Sequence, residues 1–248
     1  MIEFFQHLGI YTLLIALAIG VGGIIPIFRH WHPDRLPVTL SMAAGIMLGS
    51  AFFHLMPEAY ETVGSQVGVY VLLGFLLLYF IEKFITVHIC EMLDCEVHHL
   101  GIAAFIGIAI HTLINGIALG SGLLATGLGF VVFLAVVAHK APEAFSLTSV
   151  LLHSGISRKK VILIHSMTLL MIPLGAMLAY LLIQPGHELL IGKSLAFSAG
   201  TFLHISLSDL LPEVHKHSQM KKLTFVAFVV GLGVMGLLEM WMSHSHAH

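Results

Sequence analysis

Residues 101–152 read GIAAFIGIAIHTLINGIALGSGLLATGLGFVVFLAVVAHKAPEAFSLTSVLL, two apolar runs on either side of the Gly-rich turn GSGLLATGLG at 120–129. The first run, 101–123, contains no Asp, Glu, Lys or Arg, and the second, 128–152, contains two such residues, Lys140 and Glu143. A helix needs about 20 mostly apolar residues to cross the hydrocarbon core of a bilayer, so each run is long enough to span alone. Lipid offers no partner to an unpaired backbone N–H or C=O, which makes both runs helices. The short turn between them makes an antiparallel hairpin.

The rest of the chain has the same character. Hydrophobic residues make up 58% of the 248, charged residues 10%, and mean hydropathy is +0.98. A soluble domain carries roughly 25% charged residues, so too little polar surface is present to face water all round. Eight runs are long enough to span: about 8–28, 38–57, 67–86, 101–123, 128–152, 161–183, 189–211 and 223–242. The expected fold is an all-α integral membrane protein, one transmembrane domain over 1–248 in contact with the lipid bilayer. The N-terminal run is read as a retained first span, because its first charge is Glu3 rather than a basic cluster. A net charge of −2 gives no reason to invoke nucleic acid.

Lys and Arg set the orientation, since cytoplasmic loops carry the excess. With the N-terminus outside, nine cations fall inside: Arg29, Arg35, Lys83, Arg158, Lys159, Lys160, Lys216, Lys221 and Lys222. Only Lys193 falls outside, and Lys140 lies within a span. Both termini are therefore expected outside. Short loops and modest length favour a bacterial inner membrane.

Two stretches repeat. AGIMLGSAFFHLMPEA, from residue 44, aligns with AGTFLHISLSDLLPEV, from residue 199, placing Gly45, Pro57 and Glu58 over Gly200, Pro212 and Glu213 at an offset of 155. The second span runs outward and the seventh inward, so the stretches have opposite polarity. Inverted repeats are a recurring design of secondary transporters, with the substrate held near the midplane. The expected arrangement is 3+2+3, spans one to three and six to eight forming the halves around spans four and five.

Ionisable groups in hydrocarbon are costly and mark function by default. His111 and Asn115 are four residues apart on the fourth span, and His139 and Glu143 four apart on the fifth. That spacing puts each pair on one helical face. From the hairpin turn, His111 lies about twelve residues in and His139 about eleven, so the four converge near mid-membrane. Two imidazoles, a carboxylate and an amide oxygen suit a borderline divalent ion such as zinc, whereas calcium and magnesium want mostly oxygens. Pro142 removes its own N–H and frees the carbonyl of Ala138. Lys140, three residues before Glu143, is placed to neutralise that carboxylate or to fill a second ion site.

HTLINGIALG and HKAPEAFSL on consecutive spans resemble the paired signature of the ZIP (Zrt/Irt-like protein) metal transporters, and FSAGTFLHISLSDLLPEV is similar to that family's seventh span. The likeness covers nearly the whole chain, and the HKAP form is most similar to the branch with the eukaryotic Golgi and plasma-membrane zinc transporters. The resemblance implies metal ligands at His111, Asn115 and Glu143, with His139 a further ligand or relay. Thr112 and Lys140 stand where two-metal members place Asn and Asp, which implies one transport ion rather than two. Many members carry an acid at the position of Asn115. The family is thought to move its central helices as a block.

His54 and Glu58 end the second span, Asp209 and Glu213 the seventh, as outer and inner pore-mouth residues able to concentrate cations. His165 and His204 are read as helix–helix hydrogen-bonding residues. The inside loop over 87–100 carries His88, Cys90, Glu91, Asp94, Cys95, Glu96, His98 and His99, thiols and imidazoles that suit zinc on the receiving side. The terminal HSHAH is a further metal collector.

The function expected is import of zinc, with iron, manganese or cadmium as other cargo, no permanently bound cofactor and no enzymatic activity. A homodimer is one assembly left open. A metal sensor that binds without transport is the competing account. An intramembrane metal-dependent hydrolase is disfavoured, because no H-E-x-x-H pair supplies two zinc ligands and a general base. ATP-driven pumping lacks a phosphate-binding loop.

Overall fold

The structure, a computed structural model, describes residues 2–28, 36–81, 83, 96–124, 129–182, 188–217 and 220–245. All regular structure among these residues is helical. In chain order come α1 (Ile2–Phe28), α2 (Leu36–Gly49), a π-helical turn at Ser50–Leu55, α3 (Met56–Val63), a 3-10 turn at Gly64–Gln66 and α4 (Val67–Phe80). Next come α5 (Glu96–Leu124), α6 (Gly129–His153), α7 (Arg158–Leu182), α8 (Glu188–His204), a second π-helical turn at Ile205–Leu210, α9 (Leu211–His217) and α10 (Lys221–Ser245).

Six helical stretches among the described residues are long and apolar enough to cross a membrane: Ile2–Ile27, Pro37–Phe80, Ala104–Leu124, Arg158–Leu181, Leu189–His215 and Lys221–Trp241. The second has 44 residues, about 66 Å of helix at 1.5 Å per residue and twice the hydrocarbon thickness. It breaks at Gly64, whose φ of 58° and ψ of −138° suit only a residue without Cβ. Since α8 packs against both α3 and α4, the chain folds back there. The α5 helix begins at Glu96, so His98 and His99 ride on its first turns and not in a loop running to 100. A nucleated helix gains one hydrogen bond per added residue and runs on past its apolar stretch. The remainder of the His/Cys loop (His88, Cys90, Asp94 and Cys95) lies outside the described residues.

Packing runs in pairs of helices. The α2 helix packs on α10, and α8 on α4; α1 packs on α6, and α7 on α5. Glycines allow the closest crossings. A Cβ on Gly45 would lie 2.2 Å from the Phe228 carbonyl oxygen, and one on Gly231 2.3 Å from that of Met42. Gly200 and Gly74 meet the Val71 and Phe197 carbonyls in the same way, each at 1.9 Å. Backbones in such contact gain dispersion without a side chain between them, the usual cement of membrane helices.

The two π-helical turns stand 155 residues apart, Ser50–Leu55 and Ile205–Leu210, the offset at which the sequence repeats. Each precedes a Pro-Glu pair, Pro57-Glu58 and Pro212-Glu213. A π turn inserts one residue into the helix and rotates the segment beyond it, and here the repeat carries that device at both sites. Where α2, α5, α6 and α8 face one another, the polar residues collect.

Candidate metal centre

His111, Thr112 and Asn115 project from α5; His139, Lys140 and Glu143 project from α6, the two limbs of the hairpin. All six are buried, Lys140 at 1% relative exposure and Glu143 at 7%. His111, His139 and Glu143 each offer a ligand atom, and these atoms lie within 4.8 Å of one another. His111 Nε2 stands 3.5 Å from Glu143 Oε2.

Asn115 joins the imidazoles. Its Nδ2 is 3.1 Å from His111 Nε2 and 3.1 Å from His139 Nε2. An amide nitrogen donates and does not accept, so in this arrangement both ring nitrogens present lone pairs toward one point. Phe202 of α8 closes the other side, its ring centroid 4.9 Å from that of His111.

Glu143 is held separately. Lys140 Nζ donates to both of its oxygens at 2.7 Å and to Thr112 Oγ1 at 3.0 Å, and Thr112 donates to Glu143 Oε1 at 3.2 Å. A lone carboxylate or ammonium in this setting would cost several kcal/mol, so the two charges are placed against each other. Lys140 is too buried to be snorkelling to the interface. The four ligand candidates therefore meet, with a cation and a hydroxyl already on the carboxylate.

Chemically the centre offers two imidazole nitrogens, a carboxylate and an amide, a donor set that imidazole weights toward zinc and its transition-metal neighbours. A model of the "ZIP Zinc transporter" family matches residues 5–99 and 88–239. The chain belongs to the ZIP zinc transporter family. Among its similar proteins, Zinc transporter ZIP9-B of Xenopus laevis is 26% identical, with 98% of this chain and 99% of that protein aligned. Zinc transporter ZIP9 of Macaca fascicularis is 33% identical over 58% of this chain and 67% of its own length. Zinc transporter ZupT of Chlorobium luteolum is 28% identical over 94% and 97%. With its apolar helices, this ZIP chain is an integral, multi-pass membrane protein.

The flanking residues sit in separate groups. His54, on the first π turn, lies beside His139 with ring centroids 5.0 Å apart and the ring planes tilted by 45°, and its Nε2 is 3.6 Å from Glu58 Oε2. Asp209, on the second π turn, lies 3.8 Å from His204 Nε2. Glu213 pairs with His153, the last residue of α6, at 3.0 Å. His165 meets the Thr148 hydroxyl of α6 at 2.6 Å, the helix–helix bond expected of it.

Two partners were not anticipated from sequence: Glu239 of α10, 3.1 Å from His54 Nδ1, and His153. Glu239 was within reach of the same rule that found His111, being an ionisable residue inside the apolar run 223–242. His153 ends a helix, where a His carries no such signal.

Proposed function

We propose that this chain carries zinc across the membrane, with His111, Asn115, His139 and Glu143 as the transport site. It is a transporter and not an enzyme. The convergence of two imidazole lone pairs on one amide, beside a buried carboxylate, carries the reading. A divalent ion would displace the Asn115 N–H2 from between the rings and take both nitrogens, and the amide, turned over, would offer its oxygen. Glu143 supplies the negative charge, drawn from Lys140 as the ion arrives. With Lys140 on both carboxylate oxygens, no second ion of like charge fits beside it, so one ion moves at a time. Iron, manganese and cadmium are the alternative cargo.

Eight spans in a 3+2+3 arrangement fit the paired packing of α2 with α10 and α8 with α4, and the two π turns. We place both termini outside, so that import runs toward the loop with His88, Cys90, Asp94 and Cys95, which receives the ion together with His98 and His99. His54 and Glu58 then line the outer mouth, and Asp209 and Glu213 the inner one. A bacterial inner membrane is the setting we assign, on the short loops.

The test is uptake into proteoliposomes holding a zinc-sensitive dye. Wild type is expected to load zinc well above empty vesicles. Binding of zinc by the purified protein with no loading of zinc, cadmium, iron or manganese would replace the transporter by the sensor.

A further inference from the structure

We infer that Glu239 is a positioning residue that fixes the tautomer of His54, so that His54 Nε2 and Glu58 form a two-ligand port for the incoming ion. The port rests on the transport reading of the hairpin site. The surroundings of one ring point to it. His54 is buried, 7% exposed, on the first π turn. Its Nδ1 faces Glu239 Oε2 at 3.1 Å, its Nε2 faces Glu58 Oε2 at 3.6 Å, and its centroid is 5.0 Å from that of His139.

A carboxylate accepts hydrogen bonds and does not donate them. Glu239 therefore draws a proton to Nδ1, and in the neutral ring the lone pair is then on Nε2. That lone pair and the Glu58 oxygen are both acceptors, 3.6 Å apart, and a divalent ion lying between them would be held by both. Two ligands about 2.0–2.2 Å from a tetrahedral zinc lie about 3.3–3.5 Å from each other, close to the 3.6 Å found here. Glu58 is half exposed, its side chain at 50%, while His54 is buried, so the pair reaches from water to the interior. His139 is the next imidazole in line and belongs to the transport site. Carboxylates behind ligating histidines orient them and raise their basicity, and losing one costs 10–100-fold in affinity. Here α10 supplies that carboxylate to a histidine on a different helix.

The offset of 155 puts Asp209 where His54 stands and Glu213 where Glu58 stands. At that equivalent place the repeat provides an acid on the π turn itself, and the imidazole comes from α6, with His153 on Glu213 at 3.0 Å. Among the described residues, a π turn itself supplies the imidazole only at the His54 end.

Two measurements on the full-length protein test this. In metal-free protein, 15N-histidine spectra, with His54 assigned by the signals lost in His54→Gln, report its tautomer. Wild type is expected to show Nδ1–H, and Glu239→Gln, whose amide can donate to Nδ1, Nε2–H. An imidazolium in wild type, or the same tautomer in both proteins, overturns the proposal whether or not zinc is transported. In proteoliposomes, Glu239→Gln is expected to raise the KM for zinc uptake about 10-fold or more with Vmax within about twofold, and Glu239→Asp to recover part of the loss. An unchanged KM, or a fall in Vmax alone, overturns it as well. Failure of wild type to load zinc strikes the transport reading, while the tautomer result still stands or falls by itself.

Discussion

Lys140 places an ammonium 2.7 Å from both oxygens of Glu143, with Thr112 hydrogen-bonded to both residues, in a buried site. Removing one partner of a buried pair leaves the other charge uncompensated and costs about 3–5 kcal/mol. Lys140→Met is therefore expected to lower the thermal midpoint of the metal-free protein in detergent by several degrees, and zinc, which replaces the lost charge, to restore most of it. An unchanged midpoint would mean that the pair is not formed. The meeting of His111, Asn115, His139 and Glu143 was legible because i, i+4 spacing and equal depth in a hairpin fix where side chains converge. The placement of the Asn115 amide between the imidazoles was not, since it depends on rotamers chosen by packing. Nor was the approach of His54 and Glu239, because nothing local records which distant helix is a neighbour.

At the scale of elements, glycine crossings and π turns decide the packing. A Cβ on Gly45 or Gly200 would sit 2.2 or 1.9 Å from a facing carbonyl oxygen, while one on Gly20 or Gly233 would meet nothing within 4 Å. Overpacking costs typically 1–3 kcal/mol. Gly45→Ala and Gly200→Ala are expected to be destabilised by about that much in thermal unfolding, and Gly20→Ala and Gly233→Ala to be neutral or slightly stabilised, since Ala is the better helix former. Equal behaviour of the two sets would mean that the crossings do not hold the helices together. Helix positions were readable from hydropathy: the run 161–183 became Arg158–Leu182, and 128–152 became Gly129–His153. The second run passed its expected end at 57, because the π turn and α3 carry the helix on to Val63. Nothing in the composition of SAFFHL or ISLSDL marks a π turn; the internal repeat was the one trace of them.

For the whole molecule, the asymmetry of Lys and Arg gives an orientation that the native thiols can report. Cys90 and Cys95 both lie in the loop we place inside, and no other cysteine is present. A membrane-impermeant maleimide is expected to leave intact cells unlabelled and to label the protein after permeabilisation. Labelling of intact cells would invert the topology and the direction of import. That the chain lives in a membrane was plain from 58% hydrophobic and 10% charged residues, and the family was legible in the paired hairpin motifs; beyond the α5–α6 hairpin, which helix packs on which was not. Whether the hairpin site carries the ion is measured most directly by zinc uptake with wild type, His111→Ala and Glu143→Ala at matched incorporation in proteoliposomes. Wild type is expected to load zinc and each variant to fall at least 10-fold, beyond the lower bound for loss of a mere supporting partner. Uptake by both variants at the wild-type rate would contradict a transport site in the hairpin.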